Sequence, residues 1–225
     1  MGGLLSVGGS FTAFDLLNYA SRNIDTAAVG VVAGAEQVGL YDRAYTLIML
    51  PVRQLQAPLT RVVIPVLSRL QEAPDRYRVY FLTIVSATTL VTVPAMAVSA
   101  VLAEPLISVV YGERWSESAK FFAVLAIGGS LTMLSFSNGW LYTTLGRGAE
   151  QIRWALITRP ILIAGILIGS VFGPLGVALG FVSAQLLVMP ITYRAATRNS
   201  PVSMRDIASA VSRPVVSAVV SAAAV

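Results

Sequence analysis

Long apolar runs separated by short polar stretches organise this chain. The first run covers about residues 4–33 and ends at a short turn, Gly34-Ala35-Glu36. The second covers about 38–68, and SRLQEAPDRYR (68–78) follows it as the first clearly aqueous loop. The third, 79–103, contains no charged residue and closes at Glu104-Pro105; YGERWSESAK (111–120) is the next polar connection. The fourth, 121–146, is again free of charge, and a short turn, 147–151, leads to the fifth, 152–172. Phe172-Gly173-Pro174-Leu175-Gly176 reads as a tight turn. The sixth, 175–193, carries small residues at Gly176, Ala178, Gly180, Ser183 and Ala184, the kind that let helices approach closely in lipid. Residues 194–206 are polar, and from Ser212 the chain turns apolar again to Val225, too short a run to span. Runs of 19 or more apolar residues predict membrane-spanning helices. The expected fold is all-α, a multi-pass transmembrane bundle of six complete helices and the start of a seventh.

The first run carries an unusual stripe. At 3.6 residues per turn, Asp15, Asn18, Tyr19, Arg22, Asp25 and Thr26 fall close to one face, and the other faces are apolar. Ionisable groups at membrane depth cost roughly 2.5–3.5 kcal/mol each on insertion scales. They persist where they face a bundle interior or a water-filled path and find partners. Asp25 lies one turn from Arg22 and is expected to pair with it; alternatively Asp25 or Asp15 carries a proton or binds Na⁺.

The second run would be roughly 45 Å long as a helix, against a hydrocarbon thickness of roughly 30 Å. It holds Pro51, Pro58 and Pro65, spaced by seven and so near one face, with Arg43, Arg53 and Arg61 along it. Each proline removes a backbone donor and kinks or breaks a helix. Two outcomes are open: a merely bent helix, or a discontinuous one lining a cavity where freed carbonyls and arginines meet a substrate.

Composition agrees with a membrane protein. Of 225 residues, 56% are hydrophobic and 12% charged, and the mean hydropathy is +0.74; ordinary soluble domains are about 25% charged. The net charge of +5 and pI near 9.9 would suggest nucleic acid in a soluble chain. Here the basic residues sit at the ends of apolar runs and read as topology, so no nucleic-acid partner is expected. There is no Cys and no His, which removes disulfides, thiolate chemistry and the commonest general base and metal ligand. The start, MGGLLSVGG, lacks the basic n-region of a signal peptide.

Charge placement gives an independent test of the spans. The second, fourth and last connections with their flanks hold Arg69, Arg76, Arg78, Arg147, Arg153, Arg194, Arg198 and Arg205. The first, third and fifth hold Arg114 and Lys120 alone, offset by Glu113 and Glu117. Eight against two places the basic side in the cytoplasm, with both ends of the six-helix unit inside.

No enzyme signature is present: no metal cluster, GxSxG, P-loop or dinucleotide fingerprint. No cofactor is expected. The outer connections are too short for the paired carboxylates of an integral-membrane glycan-assembly enzyme, which is the weaker rival. What remains is a set of arginines, Arg22, Arg43, Arg53, Arg61 and Arg159, whose planar guanidinium binds phosphate oxygens in a bidentate way. Arg43 and Arg159 are expected to snorkel to an interface; Arg61 stands between the two readings.

Several strings resemble one family in order along the chain. They are NYASRNIDTAAVG (18–30), GAEQVGLYDRAYTLIMLP (34–51), IPVLSRLQEAPDRYR (64–78), AEPLISVVYGERW (103–115) and NGWLYTTLGR (138–147). Together they resemble the bacterial polysaccharide and O-antigen flippases of the multidrug/oligosaccharidyl-lipid/polysaccharide exporter superfamily, over about residues 16–198. The resemblance implies two lobes of about six helices around a central cavity, with alternating access. It makes residues 1–198 a second-lobe bundle, and 199–225 a cytoplasmic linker with the truncated start of a further helix. The first lobe of the same polypeptide would then be the missing partner.

The resemblance further implies a polyprenyl-diphosphate-linked oligosaccharide as cargo in the bacterial inner membrane, for surface polysaccharide or lipopolysaccharide synthesis. Membrane lipid and glycan polymerase machinery are the other implied partners. On that reading Arg22, Arg53 and Arg61 are substrate-binding, with Arg22 and Arg53 contacting diphosphate or acidic sugar. Asn18 and Tyr19 contact sugar hydroxyls, and Asp25 and Asp15 tune charge or couple an ion. A drug/cation antiporter of the same superfamily would instead show acids outnumbering arginines in its cavity.

Overall fold

The computed structural model describes the backbone of residues 2–223, and side chains for residues 23–218, 220 and 222. Every element among them is helical: α1 (Gly2–Arg69), α2 (Pro74–Val101), α3 (Ala103–Tyr111), a 3₁₀ turn (Glu113–Trp115), α4 (Ser118–Thr144), α5 (Gly148–Ser170), α6 (Gly173–Thr197) and α7 (Met204–Ala223). Four of these, α2, α4, α5 and α6, are long and apolar enough to cross a membrane. The all-α, multi-pass expectation holds.

α1 is two helices joined at one residue. Gly34 has φ 78° and ψ −179°, outside helical space. That region is essentially closed to side-chain-bearing residues. Asp25 and Tyr41 would lie about 24 Å apart on a straight helix. Instead the Tyr41 hydroxyl donates to the Asp25 carboxylate at 3.2 Å. The chain therefore reverses at Gly34, and the end of the first arm (2–33) folds back against the start of the second (35–69).

The proline-rich second arm is otherwise continuous. Pro51, Pro58 and Pro65 all lie inside the helix, and Gly34 is the one residue of α1 with non-helical backbone angles. The discontinuous-helix alternative is thus not what the structure adopts: the break falls at the glycine. α2 starts at Pro74, five residues before the apolar run, because proline suits the first helical turn, whose donors are unpaired anyway. For the same reason Pro105, expected to end the third run, lies in the first turn of α3, a helix that fills the stretch before the polar connection at 111–120.

Two apolar clusters hold the bundle. One gathers Val29, Leu40, Tyr41 and Ile48 of α1 with Phe121 and Leu125 of α4, Ile166 of α5 and Val177 of α6. The other joins Val63 and Leu67 of α1 to Phe81 of α2, Trp140 and Leu141 of α4, Tyr193 of α6 and Ile207 of α7. α7 therefore packs as part of the bundle. The α2 threonines are satisfied by their own helix: Thr89 donates to the carbonyl of Val85 at 2.8 Å and Thr92 to that of Thr88 at 2.9 Å. In lipid that local bond removes the cost of an unpaired polar group.

The connections sort onto two ends, as the charge alternation requires. Arg43, near the first turn, lies over Trp115 of the third connection. At the other end Gln71 of the second connection donates to the carbonyl of Thr144 beside the fourth. Arg147 of the fourth donates to the carbonyls of Ala196 and Ala195 at 2.8 and 3.0 Å, closing the end of α6. Arg78 of α2 pairs with Asp206 of α7.

Candidate functional site

The α1 hairpin supplies the candidate site, in two separate parts. The first is the buried contact between its arms. Asp25 is 3% exposed. One carboxylate oxygen accepts from the Thr26 backbone N–H at 2.8 Å and the other from the Tyr41 hydroxyl. Tyr41 is fully buried, stacked on Tyr45 and edge-on to Phe121. Asp25 is therefore built into the packing between the arms and α4. Nothing in the sequence singles out Tyr41; it becomes a partner of Asp25 only through the reversal at Gly34.

The second part is the outer face of the second arm. Leu50, Arg53, Gln54, Ala57, Pro58, Arg61, Val62 and Pro65 are exposed there, at helical spacing. Val52, Val63 and Leu67 on the opposite face are buried. Pro58, Pro65, Arg53 and Arg61 are thus exposed together along one face of the arm. Among the described residues no carboxylate lies within ion-pair distance of Arg53 or Arg61. Beside them Gln54, Leu55, Pro58, Leu59, Val62, Val63 and Ile84 line an open apolar groove of about 300 Å³ between α1 and α2.

The two parts do not meet. Along the second arm Arg53 lies 12 residues beyond Tyr41 and Arg61 lies 20, so about 18 and 30 Å further from the hinge at 1.5 Å per residue. The side chains of Asp15, Asn18, Tyr19 and Arg22 lie outside the described residues, and with them the Arg22–Asp25 pair. Of the arginines expected to snorkel, Arg43 lies on aromatic rings at the first-turn end and Arg159 is half-buried with a partner. No group of three or more metal-ligating side chains occurs among the described residues.

Chemically, the exposed face offers permanent positive charge beside an apolar trough, in a bundle built for lipid. The bundle itself defines a multi-pass membrane protein. Its lineage is equally specific. Residues 1–120, which hold α1, α2, α3 and the 3₁₀ turn, match the family described as polysaccharide biosynthesis proteins, and the chain belongs to that family.

It is similar to the lipopolysaccharide biosynthesis protein WzxC of Escherichia coli, 26% identical over 84% of this chain and 39% of the relative. It also resembles the teichuronic acid biosynthesis protein TuaB of Bacillus subtilis, 31% identical over 64% of this chain and 31% of that protein. A third relative is the succinoglycan biosynthesis transport protein ExoT of Rhizobium meliloti, 24% identical over 72% and 33%. The chain thus spans between 31 and 39% of the length of these curated relatives. No solved structure matches it.

Proposed function

We propose that this chain is one lobe of a flippase that carries a polyprenyl-diphosphate-linked oligosaccharide across the bacterial inner membrane by alternating access. The observation that carries the reading is the pair Arg53 and Arg61, exposed on one helix face and, among the described residues, without a carboxylate partner. Charges on an otherwise apolar span call for a hydrated surface. A face of this kind fits one wall of a cavity whose other wall comes from the rest of the polypeptide. Guanidinium without a carboxylate partner is free to take phosphate oxygens. Family membership, and a relative named as a transport protein, support transport over glycan-assembly chemistry.

Arg22, Asn18 and Tyr19 of the first arm would share the cargo with Arg53 and Arg61. Asp25, with Asp15, would tune charge or couple an ion. For Asp25 the starting state is its bond from Tyr41, which a proton or cation would have to replace. The arginine-rich end is assigned to the cytoplasm.

Complementation of surface-polysaccharide export by the full-length protein tests this. Arg53→Ala and Arg61→Ala should each lower export about tenfold, the loss of one charge-assisted hydrogen-bonding group, at unchanged protein level. Arg22→Ala should do the same and Arg22→Lys should rescue part of it. Export unaffected by all three alanine variants overturns the cargo site. Impermeant thiol labelling of Glu72→Cys from inside and Glu113→Cys from outside tests the orientation.

A further inference from the structure

The connection between α2 and α4 joins two membrane-crossing helices, so it lies at a membrane surface. It folds as α3 and the 3₁₀ turn instead of looping into water. α3 buries Ala103 and Ile107 but leaves Val109 84% and Val110 51% exposed. Tyr111 and Trp115 follow directly, with ring centroids 6.5 Å apart. Arg43 reaches in from the second arm of α1. Its guanidinium lies 5.7 Å from the Tyr111 ring centre and 5.3 Å from that of Trp115, and the Tyr111 hydroxyl donates to the Arg43 carbonyl at 3.4 Å. Arg114 lies 5.3 Å from the Trp115 ring centre.

Both arginines are exposed. Among the described residues neither has a carboxylate within ion-pair distance; Glu117 is taken by Lys120 at 3.2 Å, and Glu113 pairs with neither. A ring face engages a guanidinium through its flat side and leaves the N–H edge free. Two arginines are therefore gathered around one indole, their charge not neutralised, beside exposed valines at a boundary that the two spans fix. Positive N–H edges next to apolar side chains complement a phosphate that carries acyl chains.

We propose that Arg43, Arg114, Tyr111 and Trp115, together with α3, form a phospholipid head-group site: the phosphate sits at the two guanidinium groups and Val109 and Val110 lie among the acyl chains. The site fastens the first-turn end of the bundle to its leaflet. It rests on the membrane-spanning fold and not on the cargo reading.

The test uses the full-length protein in nanodiscs of phosphatidylcholine and phosphatidylglycerol, with retained lipid counted by native mass spectrometry. Wild type should keep phosphatidylglycerol, and Arg43→Gln and Arg114→Gln should each weaken retention about fivefold, the effect of one basic residue at an anionic surface. Arg198→Gln, at the opposite end, should leave it unchanged. Retention equal to wild type in the double Gln variant overturns the proposal. So does displacement of the lipid by inorganic pyrophosphate, which would assign the arginines to a soluble diphosphate. Should the double variant not fold, a nitroxide on Val109→Cys decides with both arginines in place, any cysteine outside this cysteine-free sequence being replaced first. Oxygen accessibility above that of a water-soluble nickel complex supports insertion; the reverse overturns it.

Discussion

Two helical hairpins in this bundle are held together in opposite ways. α5 and α6 meet backbone to backbone. A Cβ on Gly169 would fall on the carbonyl of Gly176, and one on Gly180 on the carbonyl of Gly165. No side chain separates the two backbones at these points. The arms of α1 meet through side chains instead, by the Tyr41–Asp25 hydrogen bond and the approach of Val38 to Gly30, around a single glycine hinge. The glycine-packed pair is a fixed support. The α1 hairpin, which bears the exposed arginines, is joined through side chains around one glycine.

The comparison breaks most readily at the support. Gly169→Leu or Gly180→Leu places a side chain on a carbonyl that cannot move aside. The expected loss is about 3 kcal/mol or more, at the top of the range for overpacking, read as a lower melting temperature in detergent or loss of a monodisperse species. Gly128→Ala is the contrast. Its new methyl meets the side chains of Phe181 and Val182, which can turn, so the loss should be clearly smaller.

At the hinge the penalty has a different origin. A Cβ at Gly34 meets no atom within 4 Å, yet the backbone angles there are closed to alanine. Gly34→Ala should cost about 1–3 kcal/mol of strain. Its signature is a changed distance between spin labels on the two arms, with the α5–α6 distance unchanged. Tyr41→Phe removes the hydroxyl from a buried carboxylate and should destabilise by about 1–2 kcal/mol. A double-mutant cycle with Asp25→Asn should show coupling between the two; additive effects would mean that the bond does not hold the arms.

The smallest effect is expected at the edge of the bundle, where α7 docks on α2. Donation from the Arg78 side chain and from the Ser203 backbone holds the Asp206 carboxyl well below the usual carboxylate range. A carboxyl with a lowered folded-state pKa contributes its full stabilisation above the ordinary value of about 4 and loses it as pH falls further. Protection of α7 from protease should thus hold at pH 7 and weaken below about pH 4. Asp206→Asn should show little such change. Arg78 is half exposed, so the change should be modest.

Much of the fold was legible because lipid imposes a simple rule. A run of about 20 apolar residues has one economical solution, a helix, and alternate connections must share a side. The six apolar segments, the turn at Gly34 and the excess of basic residues in alternate connections all follow from it. The candidate site was legible only in part. The spacing of seven put Pro58 and Pro65 near one face with Arg53 and Arg61 along the same run; that the four are exposed together came from the structure. Pro105 was misleading, because a proline that ends one helix is equally suited to opening the next.

By itself the sequence determined the segments, their faces and their alternation, since periodicity and hydropathy are local properties of the chain. Which faces are covered, and by what, was decided by tertiary structure alone. Asp25 finds Tyr41 because Gly34 reverses the chain. Arg43 finds Trp115 because the first and third connections converge on one end. Arg53 and Arg61 are exposed together because the described helices pack on the opposite face of their arm. Contacts between residues far apart along the chain depend on the angles at which helices leave their turns, and those angles are fixed by packing between segments that no local pattern encodes.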